Sequence, residues 1–205
     1  MLLPVLRKRT LNRRDRLLLL ILPAALLPAA TEIVRAQNDT TCNASFQWKP
    51  VSTWAELQTA MNNDACIRLN NNITAGDGDS YLDIHKTVTL DLNGKTLNRG
   101  LQNKEPVAHG CVIRVSENGN LMLTGSGKIT GGNNMFPGGG VFVWEYGNLT
   151  VSGNVVITGN EAESGGGVSV LGGTFTMNSG TISGNCFLLL RCDNHRLKVM
   201  LKLHI

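Results

Sequence analysis

Three aromatic residues near the C-terminal third of the chain have the chemistry to contact a ligand. Phe142, Trp144 and Tyr146 alternate with other residues along a segment that is expected to form a β-strand. Side chains at every second position of a strand point to the same face, so the three rings would form one exposed platform. The alternative, which the pattern also fits, is a strand whose outer face packs against a neighbouring loop.

Acidic residues, which polysaccharide-cleaving enzymes require, are scarce in the same region. No aspartate lies between Asp91 and Asp193. Glycoside hydrolases use paired carboxylates, and metal-dependent lyases need acidic ligands beside a basic side chain. The sequence therefore predicts a protein that is not an enzyme and that holds no metal or other cofactor. The alternative is a polysaccharide lyase or hydrolase.

The excess of positive over negative charge in the chain lies at its two ends. The sequence has 19 Lys and Arg against 15 Asp and Glu, but positions 17–185 hold nine basic and 13 acidic residues, a net charge of −4. A basic nucleic-acid surface is therefore not expected.

Glycine-rich repeats point to the elements that would position the aromatic residues. Three segments share an opening glycine and a closing isoleucine, and the closing residues Ile129, Ile157 and Ile182 are 28 and 25 positions apart. Units of this size with short alternating strands predict stacked coils, each strand pairing in parallel with its equivalent one unit later. We expect Val141 to stack on Val168, and Val143 on Val170. The predicted fold is an all-β parallel β-helix (solenoid) of about four short coils.

Asparagine and cysteine residues are expected to stabilise these coils. Asn133, Asn160 and Asn185 each end a repeat, which predicts a structural ladder of stacked side chains; Asn133 could instead be an exposed turn residue. Five cysteines leave at least one thiol unpaired, and Cys42 with Cys66 is the disulfide candidate in an oxidising compartment.

The chain divides into five predicted segments. A basic stretch and a short apolar run make 1–36 a secretory signal peptide, followed by a linker over 37–52. A capping box at Thr53 and Glu56 predicts a capping helix over about 53–61, within an N-terminal cap and first coil or coils over 53–109. The β-helix repeats span 110–185. Residues 186–205 are a non-repeat tail, interpreted either as a cap or as a segment without evolved structure.

The pattern GGGVFV…GNLTVSGNVVITGN…GGGVSVLGGTFTMNSGTISGN resembles adhesin-like right-handed parallel β-helix proteins of the pectate-lyase-like group, including those with polymorphic outer-membrane-protein-type repeats, and it implies a right-handed coil. The resemblance covers about 50–185. It implies a secreted or cell-surface scaffold that presents a surface for glycan or protein binding. Partners would be a glycan or a surface protein of a host or neighbouring cell, with no nucleic acid and no membrane span after signal removal. The alternative to a binding scaffold is a truncated fragment with no independent function.

Overall fold

The backbone winds through short parallel strands that return to the same four positions in successive turns. The computed structural model describes Cys42 and residues 47–188. The predicted signal peptide over 1–36 and the predicted tail beyond residue 188 lie outside the described residues. No helix in the described part of the chain is long and apolar enough to span a membrane.

A single helix, α1 (Trp54–Asn63), precedes the coils in the described residues. The Thr53 hydroxyl accepts a hydrogen bond from the Glu56 amide at 3.2 Å, and the Glu56 carboxylate accepts one from the Ser52 amide at 2.7 Å. The first bond satisfies an amide that the helix start leaves free, as the capping box predicted, whereas the second joins Glu56 to the residue before the N-cap rather than to the Thr53 amide. The buried face of α1 contains Trp54 and Leu57 and packs on the earliest strands, so the predicted capping helix is confirmed and runs two residues beyond position 61.

The strands are two to five residues long. In chain order they are β1 (Lys49–Val51), β2 (Cys66–Leu69), β3 (Ile73–Thr74), β4 (Leu82–Ile84), β5 (Thr87–Asp91), β6 (Lys95–Asn98), β7 (Ile113–Val115), β8 (Asn120–Thr124), β9 (Ser126–Thr130), β10 (Asn133–Asn134), β11 (Val141–Val143), β12 (Asn148–Val151), β13 (Asn154–Ile157), β14 (Glu161–Ala162), β15 (Val168–Val170), β16 (Thr174–Met177), β17 (Thr181–Ile182) and β18 (Cys186–Phe187).

These strands form four sheets that wrap around one core. Their orders are β1-β2-β5-β8-β12-β16, β3-β6-β9-β13-β17, β4-β7-β11-β15 and β10-β14-β18. Every pairing between neighbours in the described residues is parallel, and each joins a strand to its equivalent in the next coil. The four-stranded sheet defines a first coil (β4–β6), a second (β7–β10), a third (β11–β14) and a fourth (β15–β18). The predicted parallel β-helix of about four coils is confirmed.

Inward side chains stack in register along the axis. Val141 pairs with Val168 and Val143 with Val170, and Ile157 lies between Ile129 and Ile182, as the repeat predicted. Burial of an aliphatic side chain of this size stabilises a fold by roughly 1.5–3 kcal/mol, so the stacked rows supply most of the driving force for coiling.

Burial falls sharply at the last described coil. Val143 in the third coil is fully buried, whereas its stacking partner Val170 in the fourth is 41% exposed. Phe175 and Ile182 are likewise only partly buried. Among the described residues, the inward face of the fourth coil is therefore covered from one side alone.

The number of strands in each repeat and two segment boundaries need correction. Each repeat contains a fourth strand of two residues, which is too short to show alternation in a sequence. The predicted linker over 37–52 includes β1, which pairs in parallel with β2. The repeat does not stop at Asn185, because β18 (Cys186–Phe187) pairs with β14 through backbone groups that need no glycine-rich sequence.

Candidate functional site

The outer face of the sheet β4-β7-β11-β15 brings side chains from four coils into rows. Asp83, Arg114, Phe142 and Ser169 are direct neighbours across the four strands and alternate with the buried core residues. Parallel strands lie about 4.8 Å apart, so side chains far apart in sequence meet on this face.

A groove of about 560 Å³ runs over these rows. We call it the aromatic groove, and its lining includes His85, His109, Arg114, Phe136, Phe142 and Trp144. Phe136 is 49% exposed and Trp144 is 40% exposed, so both rings are accessible to a ligand.

Phe142 and Trp144 form a ring pair at the edge of this groove. Their ring centroids are 5.4 Å apart in an edge-on arrangement at 71°. Tyr146, the third member of the predicted platform, is not among the lining residues and is 69% exposed. The expected alternation along one strand is wrong, because β11 ends at Val143 and Tyr146 adopts a φ of 58° in the following turn. Because of this turn, Tyr146 does not continue the strand alternation of the other two rings.

A network of polar side chains lies beside the aromatic pair. The guanidinium of Arg114 donates to both oxygens of Asp83, with Nε 3.2 Å from Oδ1, and Nε also donates to the Ser116 hydroxyl at 3.0 Å. The Ser116 hydroxyl donates to Asp83, and His85 Nε2 is 3.1 Å from Asp83 Oδ2. Asp83 is therefore held by three neighbours drawn from two coils.

The charge states of Asp83 and Arg114 follow from this arrangement. Partial burial acts to raise the pKa of Asp83, but the hydrogen bonds from Arg114 and Ser116 and the charge of Arg114 outweigh it and leave the pKa below its usual value. Burial likewise acts to lower the pKa of Arg114, and the contact with Asp83 reverses this and raises it. Both groups are therefore charged at neutral pH.

His109 and Phe136, which line the groove, form an aromatic row with Tyr81, which does not line it. The ring centroid of His109 lies 5.6 Å from that of Tyr81 and 6.0 Å from that of Phe136. The Arg114 guanidinium lies 4.6 Å from the centre of the Tyr81 ring, within the range of a cation–π contact. His109 has a φ of 62°, a conformation that a side-chain-bearing residue adopts only where its surroundings hold it.

The asparagine ladder contains two members among the described residues, Asn160 and Asn185. Asn160 Oδ1 accepts a bond from the Gly132 amide at 3.0 Å, and Asn185 Oδ1 accepts one from the Asn160 amide at 3.1 Å. The Nδ2 groups donate to the preceding coil in the same way. Asn160 Nδ2 donates to the Ile129 carbonyl oxygen at 3.2 Å, and Asn185 Nδ2 donates to the Ile157 carbonyl oxygen at 2.8 Å.

The expectation that Asn133 occupies an equivalent position is wrong. Asn133 pairs with Glu161, so Gly132 occupies the position that Asn160 takes one coil later. Asn133 lies four residues after its isoleucine, whereas Asn160 and Asn185 lie three residues after theirs. Asn133 is buried, and its Nδ2 donates to the Lys104 carbonyl at 2.8 Å.

The cysteines divide into bonded and buried groups. Cys42 and Cys66 form a disulfide, and Cys186 is also disulfide-bonded. Cys111 is the only free thiol in the described part of the chain and is 2% exposed. Its burial raises the pKa of the thiol to about 12, which keeps it protonated.

The arrangement is suited to recognition through ring contacts and hydrogen bonds. Within the described residues, no group of three or more His, Cys, Asp or Glu side chains is placed to hold a metal ion. Asp83 is engaged by Arg114, Ser116 and His85, so its oxygens are already hydrogen-bonded. The groove thus offers an accessible ring pair beside a fixed set of donors.

The fold and this groove define the class of protein as a parallel β-solenoid with an open groove on one outer sheet face. Comparisons of the chain with protein-family models, with curated proteins and with solved structures found no match.

The polar network around Asp83 was not predicted from the sequence. Asp83, Arg114 and Ser116 differ in type from their neighbours in the next coils, so no repeated motif marks them. The one available signal is spacing: Asp83 and Arg114 are each the central residue of an alternating segment, 31 positions apart. That spacing is close to the repeat length and places them side by side.

Proposed function

We propose that this chain is a secreted or cell-surface β-helix scaffold, adhesin-like and non-catalytic, whose aromatic groove binds a glycan. The observation that carries the proposal is the pair formed by half-buried Phe142 and exposed Trp144, which lines the groove together with the Arg114, Ser116 and His85 side chains. Aromatic side chains give a rigid contact surface, and the fixed polar groups give orientation.

The preorganisation of the polar groups supports binding. Arg114 and Ser116 are oriented by Asp83, so little side-chain entropy is lost when a ligand hydroxyl displaces water from them. A sugar hydroxyl is both donor and acceptor and can use either kind of group.

Export is supported by the Cys42–Cys66 disulfide, because such bonds persist in oxidising compartments. Expression of the full chain in a secreting host, followed by N-terminal sequencing of the released protein, tests this part. We expect the mature protein to begin at Gln37. Recovery of the intact chain only from the cell interior would contradict it.

The binding proposal is tested by screening the purified chain against an array of glycans and an array of extracellular protein domains. Hits are then measured by calorimetry, and the same glycans are incubated with the protein and analysed for cleavage. We expect saturable glycan binding without turnover. Binding to proteins but to no glycan would contradict the glycan proposal and indicate a protein partner. Cleavage of a glycan would contradict the non-catalytic assignment.

A further inference from the structure

A second groove, of about 420 Å³, lies on the far side of His109 from the aromatic groove. We call it the Arg99 groove, and its lining includes Asp77, Asp79, Tyr81, Arg99, Lys104 and His109. His109 lines both grooves, so its ring separates them.

Arg99 is the unusual residue of this groove. Its side chain is buried, with 6% of the residue exposed, yet it forms no ion pair within the described part of the chain. Nη2 donates to the Asp79 carbonyl at 2.6 Å, and the guanidinium lies 5.9 Å from the centre of the Trp54 ring. Nε is enclosed and has no hydrogen-bond partner among the described residues.

The other arginines of the outer surface are satisfied differently. Arg68 contacts Asp91 at 2.8 Å, and Arg114 is held by Asp83. Burial lowers the pKa of Arg99 and outweighs the opposing electrostatic effects of Cys111 and Asp79, neither of which forms an ion pair with it. A buried cation without a carboxylate partner is costly, because the charge loses its hydration and gains no equivalent contact.

The remaining charged groups of the groove do not fill this need. Lys104 Nζ lies 2.9 Å from Asp77 Oδ1, so these two charges offset each other at the rim. Asp79 Oδ2 accepts a hydrogen bond from the Gly76 amide at 2.7 Å. Arg99 is therefore the one cation lining the groove that contacts no carboxylate among the described residues.

We propose that the Arg99 groove binds a carboxylate group of a ligand, with Arg99 as its anchoring residue. The planar guanidinium presents donors in a fork that matches the two oxygens of a carboxylate. The bound anion offsets the buried charge that has no carboxylate partner among the described residues. This site does not depend on what the aromatic groove binds.

The test uses the full chain and small probes followed by NMR. Acetate is titrated into 15N-labelled protein, and the arginine Nε–H resonances are recorded, with neutral acetamide as the matched probe. We expect the Arg99 resonance to shift saturably with acetate and to stay unchanged with acetamide, while the Arg68 resonance is insensitive to both. Methyl glucuronide and methyl glucoside then distinguish a carboxylate carried on a sugar from a free one.

Variants give a second, independent readout. Arg99→Gln is expected to weaken acetate binding by at least about tenfold, and Arg99→Lys to weaken it less, because the charge is kept while the fork is lost. Arg68→Gln, which also removes one arginine, is expected to bind acetate as the unmodified chain does. The proposal is overturned if acetate and acetamide give the same response in the unmodified chain, or if Arg99→Gln binds acetate unchanged. Neither result alters glycan binding at the aromatic groove, so the two proposals fail separately.

Discussion

The Asn160 amide nitrogen and the Asn185 Oδ1 atom are 3.1 Å apart, and this bond joins the third coil to the fourth through a side chain. Asn160 makes the equivalent contact with Gly132 of the second coil. Three successive coils are thus linked at one corner by the same kind of bond.

Replacing Asn160 with Ala is expected to destabilise the protein by about 1–3 kcal/mol, because the buried Gly132 amide loses the Asn160 Oδ1 acceptor. The free energy of unfolding from urea titration is the measurement. The matched control is Asn178→Ala, an exposed asparagine whose side chain bonds only to Ser152 among the described residues, with an expected change within about 0.5 kcal/mol. Equal effects of the two substitutions would contradict a stabilising ladder.

Substitutions of Trp144 and Tyr146 are expected to show whether the glycan binds in the aromatic groove or at the turn that follows β11. Trp144→Ala removes a ring that lines the aromatic groove and should weaken glycan binding by tenfold or more, at about 2 kcal/mol for a hot-spot aromatic. Tyr146→Ala removes a more exposed ring outside the groove lining and should change affinity little. Calorimetry measures the glycan affinity of both variants. A larger loss of affinity in Tyr146→Ala than in Trp144→Ala would show that the glycan binds at the turn and not in the aromatic groove.

The Asp83 network is expected to make stability depend on acidity. The pKa of Asp83 is lowered from 3.8 in the folded state, so the ionised group contributes stability that is complete above that value. This contribution is lost as pH falls through the lowered folded-state pKa. The stability difference between the unmodified chain and Asp83→Asn should therefore be largest near neutral pH and shrink below about pH 4.

Unfolding curves for both proteins across this pH range provide the measurement. Asp77→Asn serves as the control, because Asp77 is fully exposed in its contact with Lys104 and solvent screens that pair. A difference for Asp83→Asn that is constant with pH would show that Asp83 is not ionised as described.

Gly140 is expected to tolerate no side chain. A Cβ at this position would lie 2.5 Å from the Gly167 carbonyl oxygen and 2.8 Å from Ile157 Cγ2, so the third and fourth coils would have to separate. Gly140→Ala should cost about 1–3 kcal/mol in unfolding free energy. Gly76→Ala, where the nearest atom is a side-chain oxygen at 3.4 Å, should cost less, and thermal unfolding of the pair compares them.

Cys111 is expected to be inert in the folded protein. Its burial and raised pKa of about 12 leave almost no thiolate at pH 8, so iodoacetamide should modify it only after unfolding. Peptide mass spectrometry of native and urea-treated samples measures the difference. Rapid modification of the native protein would contradict the burial of this thiol.

Features that repeat identically were predictable from the sequence, and features that depend on unlike neighbours were not. The stacking of Val141 on Val168 follows from alternation and glycine spacing, which are local. The Asn133 error arose from aligning identical residues, whereas register is set by strand pairing counted from Ile129. The meeting of Tyr81, His109 and Phe136 depends on loops between strands, whose paths carry no periodic signal.

The partly uncovered fourth coil has a consequence for how the solenoid comes apart. In a stacked array each coil is stabilised by the interfaces it shares, and the described residues give the fourth coil one such interface where the second and third have two. Judged from the described residues, we therefore expect the strands of the fourth coil to exchange their amide hydrogens with solvent faster than those of the second and third coils, in a gradient along the axis. The aromatic groove spans this gradient. Leu171, which follows β15 of the fourth coil, lies where exchange should be fastest, and His85, which follows β4 of the first coil, lies where it should be slowest.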